Sequence, residues 1–165
     1  MESFKINKNR TKFIKSNFFQ FSFNPDSNED IEPDRKKFEQ LRNPAELHYL
    51  AYIYNWDDGV TVLEWILDSP LCTRSTANLL FWRAAPDYYL EFDINDENSC
   101  PSYNRAGFHV IQKVLEKYKN NSFSKSQIKF DPESVIEEII NDNKKWEIPS
   151  GVYDKISGVE ILVEE

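Results

Sequence analysis

Leu47, Leu50, Ala51 and Tyr54 recur at i, i+3, i+4 and i+7 behind an Asn43-Pro44 start, with Glu46 three residues after the cap. This is the signature of a capped amphipathic helix: Asn accepts an end N–H, Pro suits the first turn, and one face is apolar. A shorter helix is predicted from Pro33 and Asp34 through Leu41, with Phe38 and Leu41 on one side. Val62, Leu63, Trp65 and Ile66 crowd a broad face between Gly59 and Pro70 and predict a buried helix, despite the β-branched run Val60 to Val62. Ser75 to Ala85 predicts a third, closed by Pro86. Helices joined by such short connectors pack as antiparallel hairpins.

Beyond Pro86 the pattern loosens. DYYLEFDIN reads as one helical turn or a short strand, and NDENSCPS as a loop. Ile111, Val114, Leu115 and Tyr118 form another helical stripe, and Asp131-Pro132 opens a predicted last helix bearing Ile136, Ile139, Ile140 and Asn143. VEILVEE is a short strand or a final helical turn. At the other end Phe19, Phe21 and Phe23 alternate with polar residues, the period of a half-buried strand, and NPDSNED from Asn24 to Asp30 has turn chemistry. The expected fold is mainly α, a compact bundle of about five to seven short helices with short strands at the termini. Residues 1–32 form an N-terminal arm or strand and residues 33–165 a single helical domain.

Composition agrees with one folded unit. The 165 residues are 40% hydrophobic and 15% aromatic, and a chain of this length buries enough surface to need no metal or disulfide staple. Cys72 and Cys100 lack metal or disulfide-framework spacing, and no stretch approaches a membrane span. The chain therefore reads as cytoplasmic, without a cofactor and without a membrane partner. Its net charge of −8 repels phosphate backbones, which argues against nucleic acid and favours a basic protein partner. Residues 41–100 concentrate the acidity, with three basic against ten acidic side chains.

YNWDDG, Tyr54 to Gly59, places Asp57 and Asp58 beside Trp56 before a helix. One reading is structural: an Asp there accepts hydrogen bonds from the helix start and meets the positive end of its dipole. The other is chemical, with both carboxylates and His48 serving a metal-assisted hydrolase, though calcium-loop spacing and an HExxH pair are missing. His48 is also expected to hydrogen bond Tyr52 one turn on, and Cys72 to be a small buried thiol. No Walker loop, GxGxxG or GxSxG occurs. The aromatic residues Tyr49, Tyr52, Trp56, Trp65, Phe81, Trp82, Tyr88 and Tyr89 are core material unless left exposed beside acids, where they would anchor an interface.

The residues Leu47, His48, Leu50, Ala51, Tyr54 to Gly59, Cys72, Thr76, Ala77, Phe81 and Trp82 spell LHxLAxxYNWDDG followed by a spaced Cys, TA and FW. Over residues 46–90 this pattern resembles a bacterial domain family of unknown function. What the resemblance implies is a small cytosolic bacterial protein, in some cases an immunity protein of a polymorphic toxin system. The expectation is then a non-enzymatic immunity protein that binds and neutralises a cognate toxin through Trp56, Asp57, Asp58 and Glu64, supported by Asp87 and Glu91. The alternatives are the hydrolase built on Asp57, Asp58 and His48, and a scaffold or regulator that self-associates.

Overall fold

The computed structural model describes residues 2–19 and 32–165. The first strand, β1, is Ser3–Ile6, followed by helices α1 (Lys8–Ile14), α2 (Arg35–Phe38), α3 (Pro44–Ile53), α4 (Thr61–Asp68), α5 (Arg74–Arg83), α6 (Pro86–Tyr89) and α7 (Arg105–Asn120). A second strand, β2, is Glu160–Val163. The fold is mainly α.

Local chemistry sets several of these boundaries. The Asn43 side chain accepts from the Glu46 N–H at 2.9 Å, with Pro44 in the first turn. Asp34 caps α2, and Thr73 caps α5 through the Thr76 N–H at 3.2 Å. Asn121 ends α7 with φ of 49°, a left-handed conformation that Asn tolerates better than most residues.

The core lies where α3 meets α5 and where α4 and α5 meet α7. Leu47, Leu50, Leu63, Ile66, Leu80, Phe81, Phe108, Ile111 and Val114 are buried there. Two indoles fasten the C-terminal segment to this body: Trp82 Nε1 donates to the Val152 carbonyl at 2.8 Å, and Trp146 Nε1 to the Tyr89 carbonyl at 3.0 Å. Among the described residues no helix is long and apolar enough to cross a membrane.

The two ends of the chain meet. β1 and β2 pair in parallel, with Ser3 opposite Glu160 and Ile6 opposite Val163. Ile6, Ile14 and Phe18 enter the same core cluster as the helices. The Arg10 guanidinium also grips the buried Glu46 carboxylate with bonds of 2.8 and 2.9 Å.

Two sequence expectations need correction. The helix predicted after Asp131-Pro132 is one 3-10 turn, Pro132–Ser134, and the chain beyond it is irregular. Its polar groups are used elsewhere: the Lys145 backbone N–H donates to the Leu90 carbonyl at 2.7 Å, and the Asn141 side-chain Nδ2 to the Asp87 carbonyl at 3.0 Å. Ile140, a supposed core position, is 72% exposed. Phe19 ends a π-helical extension of α1, Lys15–Phe19, rather than starting a strand; Phe21, Phe23 and residues 24–30 lie outside the described residues.

Candidate functional site

YNWDDG forms a 3-10 turn, Trp56–Asp58, and the capping side chain is Asn55, which accepts from the Asp57 N–H at 3.1 Å. Neither aspartate caps α4, because Val60 occupies the cap position without a side-chain bond. Gly59 separates the turn from that helix and takes φ of 84°, a backbone conformation glycine adopts readily. The two carboxylates diverge in environment: Asp57 is exposed and Asp58 buried. The Tyr54 hydroxyl donates to the Asp58 carbonyl at 3.3 Å. Burial and the nearby Asp58 charge push that phenol up to about 12. Trp56 is half-buried against the core.

A different segment gathers exposed acids and rings. Between Arg83 and Arg105 the chain carries Asp87, Glu91, Asp93, Asp96 and Glu97 and no lysine or arginine. Tyr88 is 41% and Tyr103 81% exposed. Asn104 Nδ2 donates to the Tyr88 hydroxyl at 2.7 Å, which brings the two ends of the segment together. Tyr88 packs edge-on against Tyr89 and Phe92, so the ring stands on a firm base. Asp93 and Asp96 accept from the N–H groups two residues on, at 3.0 Å each, as turn-forming aspartates do. Glu91 is exposed and Asp87 half-buried.

Glu64, on α4, shares a groove with this segment. The groove has a volume of about 880 Å³ and is lined by Ile94 and Glu97 of the segment and by His109, Lys113 and Lys119 on α7. Its charges are mixed: His109 Nε2 lies 2.7 Å from Glu97 Oε2, and Lys113 pairs with Asp68 at 2.9 Å.

His48 and Cys72 have settled structural surroundings. His48 Nδ1 lies 2.9 Å from Thr76 Oγ1, so its partner stands on α5 and is not Tyr52 as the helical spacing predicts. Burial, helped by the Arg83 charge, lowers its basicity to about 4. Cys72 is fully buried, and burial pushes its thiol up to about 12, away from the nucleophilic thiolate. Among the described residues no three His, Cys, Asp or Glu side chains are grouped to hold a metal ion.

Residues 42–119 match a family described as a domain of unknown function (DUF4274). No curated protein and no solved structure shows a significant match. The matched residues run from the cap of α3 nearly to the end of α7, and contain the YNWDDG turn, the acidic segment and the α4–α7 groove. β1, α1 and β2 lie outside them. Within the matched residues sequence reasoning passed over Tyr103, Asp93, Asp96 and Glu97. The signal that finds them is the stretch from Ala84 to Asn104 without a basic residue.

Proposed function

We infer that the protein is a non-enzymatic binding protein of the immunity type, which captures and neutralises a cognate basic toxin in the bacterial cytoplasm. The observation that carries this reading is the segment 87–104, where Tyr88 and Tyr103 stand exposed among five acidic residues with no cation between them. Exposed tyrosines supply anchoring area at little conformational cost, and a one-sign field raises the encounter rate with a partner of opposite sign. Asp87 and Glu91 belong to this surface. Glu64 borders it through the α4–α7 groove, and the exposed Asp57 beside Trp56 adds an acid in the turn before α4.

The test is a tagged pull-down from the source bacterium, washed at low and high salt, set beside the double charge reversal Glu91→Lys with Asp93→Lys. A stoichiometric partner carrying a toxin domain, released by salt and lost in the double variant, supports the reading. The partner must also arrest growth when expressed alone and be silenced by co-expression. A partner retained equally by the charge-reversed protein removes this surface, and a partner whose toxicity persists beside the intact protein removes immunity.

A further inference from the structure

A cavity of about 360 Å³ is bordered by His48, Tyr49 and Tyr52 of α3 on one side and by Ile128, Ile161 and Val163 on the other. Two backbone bonds tie the second wall together: the Val159 N–H donates to the Gln127 carbonyl and the Lys129 N–H to the Val159 carbonyl, both at 2.9 Å. The α3 wall is braced as well. Arg83 Nη1 donates to the Ala51 carbonyl at 3.2 Å and to the Tyr52 carbonyl, and its guanidinium lies 5.0 Å from the Tyr52 ring centroid. Tyr52 is thus held in place although it is 60% exposed. The volume falls at the small end of ligand pockets, which span roughly 300 to 1,000 Å³.

The hydroxyl chain behind His48 decides what that ring offers the cavity. Thr73 Oγ1 accepts from the Thr76 N–H at 3.2 Å and lies 3.1 Å from Thr76 Oγ1, and both residues are buried. With Thr73 donating to Thr76, Thr76 donates onward to His48 Nδ1 at 2.9 Å, and each hydroxyl proton finds an acceptor. Any other order strands one hydroxyl proton in the core. Nδ1 is therefore an acceptor, and the neutral imidazole carries its proton on Nε2. Among the described residues no acceptor meets that N–H. Nε2 is not sealed in protein either, and the open space that His48 borders is this cavity.

We propose that the cavity binds a small, flat, uncharged molecule whose ring nitrogen or amide carbonyl accepts from His48 Nε2. A donor left without an acceptor in an apolar pocket gains most from a ligand that supplies one. The Tyr52 ring and the side chains of Ile128, Ile161 and Val163 suit an aromatic body. Charge selects against ions. Asp131, which also lines the cavity, is paired with Lys155 at 3.4 Å, and this leaves Lys129 and Glu160 at the cavity with opposite signs. Neither a cationic nor an anionic ligand therefore meets a net counter-charge to offset the water it gives up. A cation would in addition face the positive end of the His48 N–H. The site is independent of the acidic surface at 87–104 and stands whether or not that surface binds a toxin.

Titration of the intact protein with benzamide and nicotinamide, set against benzoate and benzylammonium as charged counterparts of benzamide, tests this by NMR. Both amides are expected to move the His48 ring signals and the Ile161 amide and to saturate in the millimolar range. The two ions are expected to bind at least about tenfold more weakly. Tyr52→Ala, at an exposed position, is expected to weaken nicotinamide at least about threefold. Should that variant fail to fold, the ring-nitrogen shifts of His48 in the unmodified protein decide, since they read directly which nitrogen carries the proton. A proton on Nδ1 overturns the proposal. So do shifts centred on other residues, a His48 ring that neither amide moves up to its solubility, equal affinity for the ions, or undiminished affinity in a folded Tyr52→Ala protein.

Discussion

At the scale of single residues, two groups on α3 make the protein sensitive to acid, the histidine beginning at higher pH than the glutamate. Glu46 has a side chain only 3% exposed. Burial pushes its carboxyl up, but bonds from the Arg10 side chain and the Arg42 N–H outweigh this, and the group titrates below its ordinary 4.5. A carboxyl depressed in the folded state stabilises the fold above its unfolded value and loses that contribution as pH falls through the folded one. Glu46 therefore acts below pH 4.5. His48 acts earlier: burial holds it near 4 against an ordinary 6.5, so the folded state resists a proton that the unfolded chain accepts. Its contribution is complete above 6.5 and declines as pH falls toward 4, by up to about 3 kcal/mol over the interval. The imidazole carbon-bound protons are accordingly expected to show no titration step above pH 5 by NMR, and a midpoint near 6.5 contradicts a desolvated ring. Glu46→Gln leaves Arg10 without its counter-charge and is expected to cost about 3 kcal/mol at neutral pH by urea denaturation. A loss within experimental scatter of zero would show that solvent reaches the pair.

At the scale of elements, legibility followed how far a segment's own side chains satisfy its backbone. α3 carries its cap, its proline and a complete stripe, with Leu47, Leu50, Ala51 and Tyr54 all buried as the spacing predicts. α7 has no side-chain cap at its start, but its sixteen residues carry a stripe that puts Ile111 and Val114 in the core. Residues 131–143 have a comparable start signal and fail, because the Asn141, Lys145 and Trp146 groups bind α6 and the chain just after it, and that path forbids a continuous helix. The YNWDDG turn fails in a smaller way: Asn55 takes the capping role that the sequence suggests for its acidic neighbours. Of the candidate surface, Asp87 and Glu91 were readable, while Tyr103 carries no periodicity to mark it and emerges only from its exposure. The pairing of Val159 with residues 127–129 depends on a close approach at Gly158, where an added Cβ would run into the Gln127 carbonyl. Backbone cannot swing aside as a side chain does. Gly158→Ala is therefore expected to destabilise the protein by at least about 1 kcal/mol, read as a lower urea midpoint with unchanged slope. An unchanged midpoint would mean that this pairing is dispensable.

At the scale of the whole molecule, the chain closes on itself. The β1–β2 pairing fastens residues 2–19 to the C-terminal strand, and the Arg10–Glu46 grip fastens them to α3. Phe18 is 1% exposed and meets Phe38 edge-on with ring centroids 6.3 Å apart. An independent arm would not place such a ring, with Ile6 and Ile14, inside the common core cluster. Shared burial of this kind makes unfolding cooperative, because opening the N-terminal segment exposes apolar surface on α2 and α3 as well. Phe18→Ala is expected to cost about 3 to 5 kcal/mol, and the transitions followed by tryptophan fluorescence and by far-ultraviolet circular dichroism are expected to shift together. The two probes weigh different parts of the molecule, since the four tryptophans all lie between Trp56 and Trp146. A variant whose tryptophan transition stays in place while a small early change appears in the dichroism would show that residues 2–19 unfold by themselves. Coincident transitions would instead tie the stability of the whole helical body, and of the surfaces it presents, to contacts made by residues 2–19.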